Sequence, residues 1–415
     1  MSQGQLISEL LGLQGWEVMA DGVEIGGEDV VISIVRREGT GYRCQVCGQG
    51  QLWAYDHQPM RRVRDFPVWG RRCWLEFRPA RVRCPQCGVH VEGLDWLEPR
   101  EGQTLRYERY VSVLCGLMPA LDVAAFEGLD KNTVYRIDRK WLARRKALRW
   151  ERPVRYLGID EIAVRKGHRY ATLFYDLHRR EVIGGVLGRE EKAVNRFLRR
   201  WGKGACSQVK AVCTDLWSAY HNSVKRYLKE ATVVFDKFHV YGYLSEAIDR
   251  VRRDEQNRAM KEQGYALIKG TRWLWLKSRN KLKRKQRQTL DEIMALNKNL
   301  HKAYLLKEDF DDFYACENRE EAEAFLKQWT RRCTRSGLYP FKQLARRLNR
   351  WKEGILAYFE HRITNAVSEG INNKIKVLKR RSYGFHDFHY FLLKIMDATG
   401  ALPPLNSAIA NNPQF

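Results

Sequence analysis

The sequence lacks several features that would restrict where the protein works. It has no apolar run approaching about twenty residues and no charged-then-apolar segment at its N-terminus, so we expect neither a membrane span nor secretion. It has no G-x-x-x-x-G-K-[ST] motif, which excludes the common ATP-binding loop. It also has no internal repeat and no low-complexity tract. These absences predict a soluble, cytoplasmic protein whose activity does not depend on ATP.

Acidic residues are scarce relative to basic ones. The chain has 49 Asp and Glu against 74 Lys and Arg, which gives a net charge of +25 at pH 7. This excess is larger than solubility requires and is typical of proteins that neutralise phosphates, so nucleic acid is the predicted partner. Hydrophobic residues make up 44% and aromatic residues 12% of the 415 positions, which excludes a disordered chain and allows several domains.

Ten cysteines are present, and four of them form the two C-x-x-C pairs "CQVCG" and "CPQCG". Two such pairs can supply the four thiolates of a tetrahedral metal site, and the glycine after each pair allows the left-handed turn of a knuckle. We therefore predict a structural Zn²⁺ bound by Cys44, Cys47, Cys84 and Cys87 in a domain over residues 1–100, with extra strands in "RCWLEFRPARVRC". Unpaired core cysteines are the alternative for these four. Core packing is expected for the others, Cys73, Cys115, Cys206, Cys213, Cys316 and Cys333.

Residues 101–152 show a helix-turn-helix pattern. In "ALDVAAFEGLDKNTVYRIDRKWLARR" a short apolar helix ends at Gly128 and a second helix begins near Asp130. The polar start of the second helix would face base edges, and its basic flank would meet phosphates. Many short helix pairs bind nothing, so a purely structural pair is the alternative. The predicted DNA-contacting residues are Asn132, Thr133, Arg136, Arg139 and Lys140.

The pattern changes at residues 153–245, which predict an α/β domain. Three strands, 156–164, 170–177 and 181–187, follow one another through short turns, which favours antiparallel pairing. Two strand–helix segments come next, and each of their strands ends in an aspartate, which favours parallel pairing. This is the strand order of the RNase H-like fold, in which the first strand lies beside the fourth.

Two acids of this domain would become neighbours in that fold, Asp160 in "YLGIDE" and Asp215 in "CTDLWSAY". An unpaired buried carboxylate is unfavourable, so this pair is expected to hold a cation. A predicted helix over roughly 363–380 offers a further acid, Glu369. The polar face of that helix is formed by Asn365, Glu369, Asn372 and Lys376. A solvated helix face is the alternative.

The pattern of residues 246–355 predicts helices. We therefore expect a helical insertion before the α/β core resumes at 356–400. The tail, 401–415, is expected to be loosely ordered because of its Pro and Asn content. The predicted fold class is α/β, an RNase H-like catalytic core with a helical insertion, preceded by a small zinc-binding domain and a helix-turn-helix domain.

Three further features have two interpretations each. The tract Arg272–Arg287 is basic and includes tryptophans, so it is either a contact for the DNA backbone or a solvated basic helix. His239 is a weak candidate for the metal site or the scissile phosphate, and a histidine packed beside the sheet is the default. Tyr383 and Phe385 are expected to pack under the last helix, with stacking on a flipped base as the alternative.

The segments "YLGIDE", "CTDLWSAY", "FDKFHV" and "TNAVSEGINNKIKVLKRRSYGF", preceded by cysteine knuckles and a helix-turn-helix, resemble the ISL-three family of bacterial insertion-sequence transposases. The resemblance extends from Cys44 to about Ala398. It implies a DDE domain whose catalytic, metal-binding acids fall on Asp160, Asp215 and Glu369, with Mg²⁺ or Mn²⁺ as cofactor. Glu161 follows the first acid, and strand alternation points it to the opposite face.

The same resemblance implies an enzyme, a DNA transposase that acts in the bacterial cytoplasm. It would bind the terminal inverted repeats of its element, cut a strand by two-metal phosphoryl transfer and join the new 3′-hydroxyl to target DNA. A homodimer on DNA is expected by analogy, because two ends must be held together. The helix of Glu369 would contact DNA through Asn372, Lys376, Lys379 and Arg380.

Two other functions compete with this one. A non-catalytic, sequence-specific DNA-binding regulator explains the charge, the knuckles and the helix-turn-helix, but it gives no reason for the three acids. Another RNase H-like nuclease, such as a junction resolvase or an RNA-strand hydrolase, explains the acids but has little use for two end-binding modules. Metal-dependent cutting excludes the regulator, and joining to new DNA excludes the other nucleases.

Overall fold

The chain divides into two compact units, Met1–Arg149 with Leu402–Phe415, and Trp150–Ala401. Asp215, one of the predicted acids, lies outside the residues that the structure describes. Among the described helices, none combines the length and apolar character needed to cross a membrane. The structure is a computed structural model and describes residues 3–149, 152–165, 169–214, 218–263 and 268–405.

The first unit has two sheets. Its strands are β1 (Trp16–Gly26), β2 (Asp29–Arg36), β3 (Ala54–His57), β4 (Arg61–Val68), β5 (Arg71–Phe77), β6 (Ala80–Cys84) and β7 (Gly88–Val91). One sheet has the order β1-β2-β5-β4 and the other β3-β6-β7. Alternate residues of β2 and β5, such as Val30, Ile32 and Leu75, are buried because successive side chains of a strand point to opposite faces. The strands predicted in "RCWLEFRPARVRC" are confirmed as β5 and β6.

Helices complete the first unit, and they are α1 (Gln3–Leu11), α2 (Leu105–Leu117), α3 (Ala120–Glu127) and α4 (Lys131–Ala147). Gly128 ends α3 in a left-handed conformation (φ 64°), which a residue without Cβ adopts easily. Asp130 then caps α4, because its carboxylate accepts from the backbone N–H groups of Asn132 and Thr133. The predicted helix-turn-helix elements are confirmed at these boundaries.

The expectation of a loosely ordered tail is wrong for its first residues. Leu402 is buried, and the Pro403 carbonyl accepts a hydrogen bond from Arg145 Nε at 2.8 Å. Leu405 packs against the apolar core of α2, α3 and α4. Apolar side chains in a Pro-rich segment can still be buried, which composition alone does not reveal. Residues 406–415 lie outside the described part of the chain.

The second unit is built on a five-stranded sheet. Its strands are β8 (Tyr156–Arg165), β9 (Arg169–Asp176), β10 (Glu181–Leu187), β11 (Ala211–Thr214) and β12 (Thr232–Phe235). They lie in the order β10-β9-β8-β11-β12, so the first strand of the unit is next to the fourth. The pairs β8–β9 and β9–β10 are antiparallel, whereas β8–β11 and β11–β12 are parallel. In this register Thr214 lies opposite Ile159.

The helices of the second unit are α5 (Glu191–Trp201), α6 (Lys203–Cys206), α7 (Ser218–Tyr227), α8 (Lys237–Gln263), α9 (Arg272–Leu276), α10 (Arg284–Leu296), α11 (Lys298–Asp309), α12 (Arg319–Arg335), α13 (Tyr339–Arg350), α14 (Lys352–Leu356), α15 (Tyr358–His361), α16 (Ala366–Arg381) and α17 (Phe388–Ala398). Helices α5 and α7 cover one face of the sheet, where Ile159 and Phe174 are buried. Helix α16 contacts β8, and α17 contacts β10.

Helices α8 to α15 form a second hydrophobic core. It includes fully buried aromatic residues such as Trp275, Trp329 and Phe341. The basic tract Arg272–Arg287 is not one continuous helix, because α9 ends at Leu276 and a short 3₁₀ turn, Arg279–Lys281, precedes α10. Trp275 is buried while Trp273 is exposed, so only one of these two tryptophans belongs to the core.

Candidate active site

A cavity of about 780 Å³ opens beside β8 in the second unit. Strand β8, the start of α8 and the helix α16 all contribute to its walls. Asp160, His239 and Glu369 line it, and therefore two of the three predicted acids face one space. The third, Asp215, follows β11 directly but lies outside the described residues, so its place in the site stays a prediction. The other polar side chains that line the cavity are Glu161, Asn372, Lys376, Lys379, Arg380 and Tyr383.

Asp160 lies in the middle of β8 and is half-buried. Its Oδ1 accepts from the Glu161 backbone N–H at 2.8 Å, and its Oδ2 accepts from Asn372 Nδ2 at 2.8 Å. Each oxygen of this carboxylate thus has a hydrogen-bond donor inside the protein, which offsets the cost of its partial burial. The neighbouring Glu161 carboxylate lies 3.7 Å from the Arg189 guanidinium.

Glu369 is in the first turn of α16, with its side chain exposed to the cavity. The helix approaches β8 closely because Gly158 has no side chain. A Cβ at this position would lie 3.2 Å from the Ser368 hydroxyl and 2.7 Å from Leu177 Cδ2. Gly158 in "YLGIDE" therefore allows the helix to reach the strand that holds Asp160.

Asp236, directly after β12, is a buried acid that was not among the predicted site residues. Its Oδ1 accepts from the backbone N–H of Asn365 at 3.2 Å. Asn365 is the residue before α16, which begins at Ala366 and not near Ile363 as predicted. Asp236 therefore anchors the start of the helix that supplies Glu369. The aspartate at the end of a predicted strand was the only sign of this role in the sequence. The sequence could not predict that Asp236 bonds to the backbone of Asn365.

Asn372 makes contacts within the protein at both ends of its amide. Besides the bond to Asp160, its Oδ1 accepts from the Tyr175 hydroxyl at 2.7 Å. Burial raises the pKa of Tyr175 well above its usual value, and the charge of Asp160 acts in the same direction. The amide oxygen and nitrogen of Asn372 thus both have partners inside the protein, which counts against its predicted contact with DNA; that contact stays a prediction.

The mouth of the cavity is basic. Lys379 Nζ donates to the Ala163 carbonyl at 3.0 Å, and Lys376 Nζ donates to Asn373 Oδ1 at 3.3 Å. Both contacts are exposed to solvent, so these ammonium groups remain near the surface of the cavity. Arg380 is exposed beside them. The predicted roles of Lys376, Lys379 and Arg380 in DNA binding are compatible with this placement and stay predictions.

The two aromatic residues of "RRSYGF" behave differently. Phe385 stacks on Phe391 with ring centroids 4.6 Å apart, so its expected packing is confirmed. Tyr383 is 91% exposed, so its expected packing is wrong. The helix ends at Arg381, and Tyr383 adopts a left-handed backbone (φ 52°) that turns its ring outward at the cavity.

The four predicted metal-binding cysteines are together in the first unit. The Sγ atoms of Cys44, Cys47, Cys84 and Cys87 all lie within 4.8 Å of one another. A tetrahedral Zn²⁺ with bonds of about 2.3 Å requires sulfur atoms about 3.8 Å apart, and Cys47 and Cys84 are at 3.6 Å. A hydrogen bond from the Cys47 backbone N–H lowers the pKa of Cys44 to about 7. The glycines after the pairs, Gly48 and Gly88, have the expected left-handed backbone. This set of donors fits zinc, and the six remaining cysteines are buried as expected.

The predicted DNA-contacting residues of α4 divide into two groups. Asn132 and Arg139 are exposed and Thr133 is half-buried at the start of the helix. Arg136 is also exposed, but its guanidinium pairs with Glu101 at 2.5 Å.

Lys140 pairs with Glu98 at 2.8 Å and with the fully buried Glu108. Burial raises the pKa of Glu108, which the Lys140 ammonium partly offsets. The Lys140 ammonium is thus held inside the unit, and this placement counts against a contact with phosphate.

Comparison with known proteins identifies the family. A family model described as "Transposase", of the ISL3 type, matches residues 157–395. A second model, the helix-turn-helix domain of transposase family ISL3, matches residues 92–142. The chain belongs to the ISL3 family of transposases. The first match includes the positions of Asp160, Asp215 and Glu369, and the second includes most of α4.

Two curated relatives support the same assignment. The transposase for insertion sequence element IS1001 of Bordetella parapertussis is 35% identical over 361 residues, which cover 86% of this chain and 88% of the relative. The transposase for insertion sequence element IS1557 of Mycobacterium tuberculosis is 26% identical over 445 aligned positions, which cover both chains completely. A member of the ISL3 family is expected to cut and transfer DNA, and the helix-turn-helix implies that it binds DNA.

Proposed function

We propose that this chain is a DDE transposase that cuts the ends of its insertion sequence and joins them to target DNA. The observation that supports this best is the convergence of Asp160 and Glu369, far apart in the sequence, on one cavity with a basic mouth. We further propose that the second unit is an RNase H-like core, because its first strand lies between the second and the fourth. Helices α8 to α15 would be the insertion in this core.

The acids fit divalent metal ions of the hard, oxygen-preferring kind. Asp160 and Glu369 offer carboxylate oxygens, and Asp215 is the proposed third ligand. When bound, a pair of Mg²⁺ or Mn²⁺ ions would activate the attacking hydroxyl and stabilise the leaving oxygen. The protein orients Asp160 through Asn372 and the backbone of Glu161, and it orients Glu369 through the contact of α16 with β8.

The remaining parts of the chain would recognise DNA. The cysteine cluster would bind one structural Zn²⁺, and α4 would enter the major groove of the terminal inverted repeats through Asn132 and Arg139. Lys376, Lys379 and Arg380 would hold the DNA backbone at the mouth of the cavity. Two ends must be held together for strand transfer, so we propose that the protein acts as a dimer on DNA.

Purified protein and a plasmid that contains its gene with native flanking DNA would test this function. With Mg²⁺ we expect cuts at matched inverted repeats, and with EDTA we expect none. Asp160→Asn, Asp215→Asn and Glu369→Gln should each abolish cutting but keep DNA binding, because they remove metal ligands and no DNA contacts. Glu292→Gln, a change of an exposed acid on α10, is the matched control and should cut like wild type.

Two outcomes would contradict the proposal. Binding to the repeats without cutting in either Mg²⁺ or Mn²⁺ would favour a regulator. Cutting without dependence on the repeats and without joining would favour another nuclease. The zinc content of the same preparation tests the cysteine site, since one Zn²⁺ per chain is expected and Cys84→Ser with Cys87→Ser should remove it.

A further inference from the structure

Two side chains outside the proposed acids form a row of hydrogen bonds that ends at Asp160. The Tyr175 hydroxyl donates to Asn372 Oδ1 at 2.7 Å, and Asn372 Nδ2 donates to Asp160 Oδ2 at 2.8 Å. Tyr175 is on β9, Asn372 on α16 and Asp160 on β8, so the row joins three elements. In the sheet, Tyr175 lies opposite Gly158, two residues before Asp160 on the same face.

The partners of Asn372 permit only one orientation of its amide. An ionised carboxylate can only accept, so the NH₂ group must face Asp160. The amide oxygen then faces Tyr175, whose hydroxyl can donate to it. If the amide were rotated by half a turn, its oxygen would meet the carboxylate oxygen of Asp160. The Asp160 carboxylate therefore fixes the orientation of the amide, and the Tyr175 hydroxyl, by donating to the amide oxygen, holds Asn372 in place from the other side.

The hydroxyl of Tyr175 has no evident use in packing. The side chain is fully buried, and a phenylalanine would fill nearly the same volume without placing a polar group in the core. A buried hydroxyl without a partner is unfavourable, so its hydrogen bond to Asn372 is needed to compensate for its burial.

We propose that Tyr175 and Asn372 are positioning residues that hold the Asp160 carboxylate in the orientation required to bind a divalent cation. Neither side chain touches the cation or the DNA. Tyr175 acts only through Asn372, and Asn372 acts only through Asp160. This inference rests on the proposed function, because it assumes that Asp160 is a metal ligand. Outer hydrogen bonds of this kind commonly affect metal affinity about 10–100-fold.

Mn²⁺ binding to the zinc-loaded protein, measured without DNA by the EPR signal of free Mn²⁺, would test the proposal. We expect Tyr175→Phe to weaken Mn²⁺ affinity about tenfold and Asn372→Ala to weaken it at least as much. The double variant should be no worse than Asn372→Ala alone, because the hydroxyl acts through the amide. Cleavage by Tyr175→Phe should recover at saturating Mn²⁺, which a general folding defect would not allow.

Tyr304→Phe is the matched control. It removes another buried hydroxyl of the second unit, one that donates to the Lys277 carbonyl at 3.1 Å, and it should leave Mn²⁺ affinity unchanged. Wild-type affinity in Tyr175→Phe, fully additive effects in the double variant, or no Mn²⁺ binding by wild type would each overturn the proposal. If wild type binds Mn²⁺ but cuts no DNA, the proposed function fails while the comparison of Mn²⁺ affinities still decides the positioning role.

Discussion

At the scale of single residues, Tyr383 combines two unfavourable properties. It exposes 91% of an aromatic side chain, and its backbone is left-handed with φ 52°. A left-handed residue with a Cβ costs about 1–2 kcal/mol, whereas glycine adopts this conformation freely. Strain of this kind is often retained where function requires the side chain. Tyr383 lies at the mouth of the cavity, which suggests a contact with DNA there.

We therefore predict that Tyr383→Gly stabilises the protein but impairs DNA cleavage. The gain in unfolding free energy should be about 0.5–1 kcal/mol, since the relieved strain exceeds the extra entropy of glycine in the unfolded chain. Urea denaturation and cleavage assays would measure the two effects. Arg180→Gly is the matched control, because Arg180 is also exposed and left-handed (φ 60°) but lies in the turn after β9. Arg180→Gly should stabilise the protein without loss of cleavage. Normal cleavage by Tyr383→Gly would refute the predicted role of the Tyr383 side chain in DNA cleavage.

The residues of the site differ in how far the sequence could predict them. The convergence of Asp160 and Glu369 on one cavity was predictable, Asp160 from its motif and the strand order, and Glu369 from its motif and the polar face of its helix. Tyr175 was not, since a tyrosine within a buried strand looks like ordinary core until its hydroxyl partner is known. The role of Asn372 was also hidden. Helical spacing placed it beside Glu369, but only the packing of α16 on β8 shows that it donates to Asp160.

At the scale of elements, the position of α16 depends on a strand residue without a side chain. A Cβ at Gly158 would lie 3.2 Å from Ser368 Oγ and 2.7 Å from Leu177 Cδ2, so the helix or Leu177 would have to move. Gly158→Ala should destabilise the protein by about 1–3 kcal/mol, as overpacking usually does. It should also lower the cleavage rate of the folded fraction, because Glu369 and Asn372 would shift relative to Asp160.

Gly184→Ala separates the loss of stability from the displacement of α16. A Cβ at Gly184 would lie 2.5 Å from Phe197 Cε2, which is on α5 and not on α16. We expect a similar loss of stability in thermal or urea unfolding, with normal cleavage per folded molecule. Equal loss of cleavage in both variants would show that cleavage has no specific requirement for the contact of α16 with β8.

The strands of both units were easier to predict than the ends of the helices. Alternating apolar residues in β5, β6 and β8 produce a period of two that is visible in the sequence. Helix α16 begins three residues later than predicted, and the backbone N–H of Asn365, the residue before it, bonds to the distant Asp236. Such a contact between distant residues has no local signature.

At the scale of the whole molecule, a net charge of +25 predicts DNA binding but not where DNA binds. That depends on which basic side chains already have acidic partners. Arg136 and Lys140 of the predicted recognition helix both form ion pairs. In contrast, a groove of about 350 Å³ between α8 and α13 is lined by guanidinium groups that form no ion pair within the described part of the chain. These groups belong to Arg250, Arg346, Arg347 and Arg350.

We predict that this groove binds the DNA backbone. Arg347 lies over the ring of Tyr243 at 4.3 Å, which holds its guanidinium at the surface. Each phosphate contact contributes about 0.9 to the slope of log affinity against log salt concentration. Replacement of Arg346, Arg347 and Arg350 by alanine should therefore reduce this slope by about 2–3 in a fluorescence titration with DNA that contains an element end.

Removal of the same amount of charge from another surface provides the control. Lys327, Arg331 and Arg335 are exposed on α12 and form no ion pair among the described residues. Their replacement by alanine lowers the net charge equally, so it should change the slope by less than 1 if affinity depends on local contacts. Equal slopes for the two triple variants would mean that the overall charge of the protein, and not the groove, determines its affinity for DNA.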